Sequence, residues 1–140
     1  MEPLSKAYDP QGIESKWYAT WKENGYFKPS GKGEPFTIVI PPPNITGKLH
    51  MGHGLNMTLQ DIAIRFNRML GKNTLWLPGE DHAGIATQGV IEKNLREKGT
   101  SRDAVGREEF LRITWDWANE YRKRIKNQIE WIGCSVDWER

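Results

Sequence analysis

The sequence predicts an α/β fold built on a parallel βαβ unit with flanking helices, and three stretches predict it. Phe36-Thr-Ile-Val-Ile40 and Thr74-Leu-Trp-Leu77 are short, apolar and rich in β-branched or aromatic residues, the composition of buried strands. Between them Leu55, Leu59, Ile62, Phe66 and Met69 recur every three or four residues, the stripe of an amphipathic helix turned toward a core. Connections this short make a right-handed strand–helix–strand unit whose strands pair in parallel.

The remaining elements follow in chain order. Residues 1–9 read as an extended arm. Asp9-Pro10 has the form of a helix start, an acceptor side chain before a proline at the first helical position. Ile13, Trp17 and Trp21 then share one face, and Gly25 ends that helix. Residues 28–35 are a polar Gly/Pro loop. After the first strand, Pro41-Pro-Pro43 stops the ladder, because proline donates no hydrogen bond to it. The central helix closes at Gly71-Lys-Asn73, and Pro78-Gly79 ends the second strand. A weaker helix is expected from Ile85 to Lys98, stopped by Gly99. Phe110, Ile113, Trp117, Tyr121, Ile125, Ile129 and Ile132 then mark the longest helix, ended by Gly133, with an extended stretch from Cys134 to Trp138.

The totals suit one packed domain: 140 residues, 37% apolar with seven tryptophans, 27% charged, and a net charge of +2 too small to name a partner. The single cysteine, Cys134, excludes an internal disulfide framework and fits a reducing compartment. No targeting signal and no apolar run of membrane-spanning length is seen, so a cytoplasmic location is expected.

Chemistry concentrates between Pro41 and His53, where a stiff loop hands over to the central helix. Two histidines, His50 and His53, stand at i and i+3 on its first turn with Gly52 between them. A helix start carries orphan N–H groups and positive dipole charge, so it suits a phosphate, and glycine lets a flat group lie close. The same histidines also read as surface or capping residues. A zinc site would need His82 or Cys134 as further ligands, at no recognised metal spacing, and no metal is expected. Asp81, at the carboxyl end of the second strand, suits an ammonium group or an N-cap ahead of the next helix. Asn44 and Thr46 add polar groups to the proline loop. Two glycosylation sequons begin at Asn44 and Asn56, and Gly71-Lys72 is not followed by the Ser or Thr of a phosphate loop. Arg122, Lys123, Arg124 and Lys126 form a basic run read as a solvated helix face.

Pro41-Pro-Pro-Asn-Ile-Thr-Gly-Lys-Leu-His-Met-Gly-His53 resembles the HIGH signature of class I aminoacyl-tRNA synthetases in its valyl form. Leu77-Pro-Gly-Glu-Asp-His-Ala-Gly-Ile-Ala-Thr-Gln88 is similar to the second block of the same family, and Gly71–Trp76, Gly106–Phe110 and Val136–Arg140 also fit. The likeness runs from Tyr8 onward. It implies the first half of a Rossmann-type nucleotide-binding fold over residues 35–140, preceded by a helical arm and loop over 1–34. It implies ATP with Mg2+ as substrate, valine as amino acid and tRNA(Val) as acceptor of the full-length enzymes. His50 and His53 would contact the phosphates as pyrophosphate leaves, and Gly52 would let adenine stack. Asn44 and Thr46 would line the ATP pocket, Asn44 also reaching the amino acid. Pro41 and Pro42 would border the valine, and Asp81 would pair with its ammonium.

Glu80, beside Asp81, departs from the uncharged residue often found in relatives, and two carboxylates facing one pocket would repel. The resemblance also implies that the chain stops where an editing insertion would begin. It would then lack the KMSKS loop, the editing domain and the anticodon-binding helices. Activity is therefore expected to be weak or absent, the alternatives being a non-catalytic ATP-binding or structural half and a nucleotidyltransferase with another acceptor. A half sheet is expected to leave an apolar edge through which the chain could self-associate.

Overall fold

The computed structural model describes residues 7–140, the side chain of Ser15 excepted, so most of the expected amino-terminal arm lies outside the described residues. Seven elements follow in order: α1 (Pro10–Glu23), β1 (Pro35–Val39), α2 (Met51–Met69), β2 (Asn73–Leu77), α3 (Gly84–Glu97), α4 (Arg102–Val105) and α5 (Arg107–Trp131). The strands pair in parallel, Pro35 opposite Asn73 through Val39 opposite Leu77, as the βαβ reading requires. The chain is thus an α/β protein with half of a Rossmann-type sheet.

Helix α1 begins as the sequence dictates. The Asp9 carboxylate accepts from the Gln11 amide at 3.1 Å, and Pro10 occupies the first turn. Its anchor to the body, though, is Tyr18, whose hydroxyl donates to the Cys134 carbonyl and accepts from Trp138 Nε1. Trp17 and Ile13, on the shared face read from the sequence, stay substantially exposed. The loop before β1 is held tightly: a Cβ at Gly33 (φ +87°) would lie 2.6 Å from the Gly71 carbonyl oxygen.

Strand β1 is not buried on both faces. Phe36, Ile38 and Ile40 turn inward, whereas Thr37 and Val39 face solvent. On β2, Thr74 and Trp76 point into the core, and Trp76, fully buried, donates from Nε1 to Gln60 Oε1 at 3.1 Å. The far edge of β2 is partly covered, because the Asp137 amide donates to the Trp76 carbonyl at 3.0 Å. This places the expected extended stretch after Cys134 beside the sheet. The main core joins Ile40, Ile45, Met57, Ile64 and Trp76 to Ala118, Ile125 and Ile129 of α5 and to Val136. A smaller cluster, Ile91, Leu95 and Phe110, seats α3 on the start of α5. Of the long helix's expected stripe, only Ile132 falls outside, half exposed beyond the last turn.

The central helix is turned over relative to expectation. Leu55, Leu59, Ile62, Phe66 and Met69 are 56–79% exposed, and its buried residues are Met57 and Ile64. The inward face is largely polar, and all but one of its buried polar side-chain atoms are paired. Asp61 accepts from the Ser135 hydroxyl and amide and from Arg65 Nε, and the Arg65 guanidinium also reaches the Gly133 carbonyl at 2.8 Å. Arg68 donates to Ser135 Oγ at 3.0 Å and to the Phe27 carbonyl. Burial lowers the Arg68 pKa, and its Nε is buried without a partner. Hydropathy ranks charged residues as outward, so it cannot find a face whose charges are offset by partners from residues 27 and 133–135.

Replacing Ile64 by Ala is expected to cost ~2–5 kcal/mol of stability, the range for a buried aliphatic truncation. Ile62→Ala, on the opposite side of the same helix, should stay within about 0.5 kcal/mol in dilute protein. Paired denaturant titrations read both; equal losses would place the wrong face inside.

Candidate functional site

Three features of local sequence build a cleft at the start of α2. The prolines stop β1, the loop 40–49 runs past the sheet, and the histidines open the helix. Ile45, fully buried, pins the loop, and Trp117 Nε1 of α5 donates to the Ile45 carbonyl at 2.9 Å. Further along, the Leu49 amide donates to Gln128 Oε1 at 3.0 Å. The resulting open cleft of about 610 Å3 is bordered by Pro41, Pro42, Asn44, Thr46, His50, Gly52 and His53, among others. Seven of the eight expected site residues therefore meet at one place.

The imidazoles are both caps and cleft walls. His50 is the N-cap: its Nδ1 accepts from the Gly52 amide at 3.1 Å, while His53 Nδ1 accepts from the His50 amide at 3.2 Å. This is a capping box made by two histidines. The His53 and Gly54 amides are bonded to the His50 carbonyl, so the first turn is not a row of bare N–H groups. An accepting Nδ1 cannot carry the proton, which leaves Nε2–H as the donor on each neutral ring. The rings stand 4.0 Å apart between centroids, tilted by 51°. Gly52 is needed here for the cap itself, since a Cβ would lie 3.0 Å from the His50 ring.

Lys48 also borders the cleft, and among the described residues no ion pair engages its ammonium. Sequence reading passed over it. The signal was a lysine two residues before a phosphate-suited helix start, in a loop too short to carry it elsewhere.

Asp81 is held next to the cleft rather than in its wall. Residues 44 and 81 form a parallel bridge, the Asp81 amide donating to the Pro43 carbonyl and the Ile45 amide to the Asp81 carbonyl, both at 3.0 Å. Its carboxylate Oδ1 accepts from the Ala83 amide at 2.8 Å. That bond supports Ala83, the one described non-glycine residue at positive φ (45°), in a left-handed turn that opens α3. The feared repulsion from Glu80 has another outlet: Glu80 pairs with Arg122 of α5 at 3.5 Å, and Arg122 also contacts His82. Arg122 is thus drawn out of the solvated basic face assigned to it. Cys134 is buried, its thiol pushed up to about 12 by desolvation, and no three His, Cys, Asp or Glu side chains converge among the described residues.

The His53 pKa is held below the ordinary 6.5, first by desolvation and then by the neighbouring His50. A depressed histidine contributes stability that is full above the unfolded value and lost as pH falls through the folded one. Protonation of Nδ1 would also break its bond to the His50 amide. His53→Gln keeps an acceptor at this capping position and cannot titrate. The stability of the parent relative to His53→Gln is expected to be flat above pH ~7 and to fall below pH ~6.5. Thermal melts across that range check it; a constant difference would remove His53 from the cap.

Among the described residues no helix is long and apolar enough to cross a membrane. Residues 16–140 match the family model described as tRNA synthetases class I (I, L, M and V). The chain is 60% identical over 141 residues to the valine–tRNA ligase of Thermotoga maritima, covering all of this chain and 16% of that protein. It is 61% identical over 137 residues to that of Pseudothermotoga lettingae, again 16% of the relative, and 55% identical to that of Acinetobacter baylyi, 14% of the relative. The chain therefore spans about one-sixth of the length of these relatives. A solved LeuRS of Agrobacterium radiobacter K84, in a ternary complex with tRNA and LeuAMS, shares the fold with a TM-score of 0.76 at 22% identity, over 94% of this chain and 15% of that one. With the family model covering most of its length and relatives above half identity, the chain belongs to the class I tRNA synthetases.

Proposed function

We propose that the chain binds Mg-ATP and valine at the start of α2 and joins them slowly as valyl-adenylate, residues 35–140 being the first half of a valine–tRNA ligase catalytic domain. The observation that carries this is the cleft bordered by two imidazoles, Lys48 and a proline-stiffened loop. In the reaction a valine carboxylate oxygen attacks the α-phosphorus in line, the bond to the bridging oxygen breaks, and pyrophosphate departs with its charge and Mg2+. The Nε2–H groups of His50 and His53 and the Lys48 ammonium meet that charge. Thr46 and Asn44 hold the nucleotide, adenine lies over Gly52, and Pro41 and Pro42 border the valine. Asp81 receives the ammonium, one carboxylate oxygen remaining on the Ala83 amide. Transfer to tRNA(Val) in the cytoplasm belongs to the longer relatives' architecture. Each preorganised donor removed from the departing phosphates is expected to cost ~3–4 kcal/mol at the transition state.

A second reading, a structural half-domain that binds ATP without catalysis, is favoured by the capping box, since both imidazoles already serve the helix. Valine-dependent exchange of pyrophosphate into ATP separates the two. His50→Asn preserves an N-cap acceptor but replaces the imidazole Nε2–H edge with a shorter amide that does not reach as far into the cleft. Adenylate formation predicts that it loses about 10²-fold in exchange while melting like the parent. Exchange equal to the parent's would reduce His50 to a cap, and exchange indifferent to valine would point to another acceptor.

A further inference from the structure

Asp81, which receives the ammonium in the adenylate reading, is flanked by two side chains that one residue of α5 holds together. Glu80 Oε2 lies 3.5 Å from Arg122 Nε, and Nη2 of the same guanidinium contacts His82 Nε2. A guanidinium only donates, so His82 accepts through that nitrogen. The arginine is itself seated. Its guanidinium lies 6.0 Å from the Trp115 ring centroid and donates to Asn119 Oδ1 at 3.4 Å, and the His82 ring stands edge-on to Trp115 at 6.1 Å. A planar fork with several fixed donors can grip residues 80 and 82 at once, which a single ammonium cannot do in the same geometry.

We infer that Arg122 is a positioning residue for amino-acid recognition: by tying Glu80 and His82 to α5 it fixes the Asp81 carboxylate between them, without touching substrate itself. This role rests on the adenylate reading and names the residue that supports its ammonium site. The turn being braced is a strained one. Ala83 sits at φ 45°, and a non-glycine residue stays in that region only where its surroundings over-determine it. Backbone bonds tie Asp81 to Pro43 and Ile45, and Thr87 Oγ1 donates to the His82 carbonyl at 2.7 Å. Arg122 adds the tie to α5, the helix that also fastens the other loop through Trp117 and the Ile45 carbonyl. Asn44 and Asp81, the two polar sides of the amino-acid site, thereby share one rigid support, and recognition depends on that support holding its geometry.

Charge alone predicts the opposite effect. A cation near an ammonium site repels the ligand, so removing it would tighten valine binding; removing a brace weakens it. The sign for Arg122→Gln therefore decides between them.

Pyrophosphate exchange by the intact chain, with valine and ATP varied separately, reads that sign. Arg122→Gln is expected to raise the KM for valine about tenfold, the scale of one lost charge-assisted hydrogen bond, and to leave the KM for ATP at the parent's value. Arg124→Gln, which gives up a pair with Glu120 on the same helix, should change neither. A valine KM that falls or stays the same overturns the inference, and so does an equal rise in both constants. Hydrogen exchange supplies a readout that needs no catalysis. The Ile45, Asp81 and Ala83 amides should exchange about tenfold faster in Arg122→Gln, and also in Glu80→Gln, which breaks the pair from the loop side, while the amides of α5 keep their protection. Unaltered protection of those three amides in both variants overturns the brace whatever the parent's activity. A parent without valine-dependent exchange overturns the adenylate reading instead.

Discussion

Everything in this molecule hangs on how α2 meets the layer beneath it. Ile64 and Met57 enter a core made by Ile40, Trp76 and the α5 residues Ile125 and Ile129, and Asp61 and Arg68 fasten the same face to Ser135 and Phe27. Those contacts fix the helix's rotation about its axis. Once that rotation is set, the first turn must present His50 and His53 to the cleft, and the heptad stripe must face outward. Apolar burial sets the depth of the helix, and hydrogen-bonded charges set its angle. A burial-only helix could rotate by a fraction of a turn, whereas guanidinium and carboxylate geometry permits one arrangement.

Helix α5 is the second constraint, because it holds both loops of the site from behind. Trp117 and Gln128 fasten the loop after β1, and Arg122 fastens the loop after β2 through Glu80 and His82. The bridge between Asn44 and Asp81 then ties the two loops directly. The site's backbone is therefore set before any ligand arrives, which lowers the ordering cost of binding.

The two imidazoles carry a double duty that follows from ring chemistry. A histidine has two nitrogens at different edges of one rigid planar ring, so one can cap a helix while the other remains a donor. Serine or asparagine could cap as well but would leave no N–H edge of the same reach. Gly52 belongs to the same device, since any side chain there would press on the capping ring. A family signature usually read as ligand chemistry is here also a helix-start signature.

Sequence alone determined the order and type of the main elements, the parallel pairing, the helix stops at Gly25, Gly99 and Gly133, and the gathering of seven site residues around the start of α2. These follow from local physics: proline removes a donor, β-branched runs extend, and glycine takes the left-handed turn. Tertiary structure alone decided which face of α2 is inside, that Glu80 belongs to Arg122, and that Asp81 stands beside the cleft, bridged to Asn44. The reason is that each of these depends on partners more than 30 residues away, and hydropathy along the chain does not encode which charges will find one. The apolar stripe on α2 misled because its period reports that a helix has an apolar face, not what that face touches.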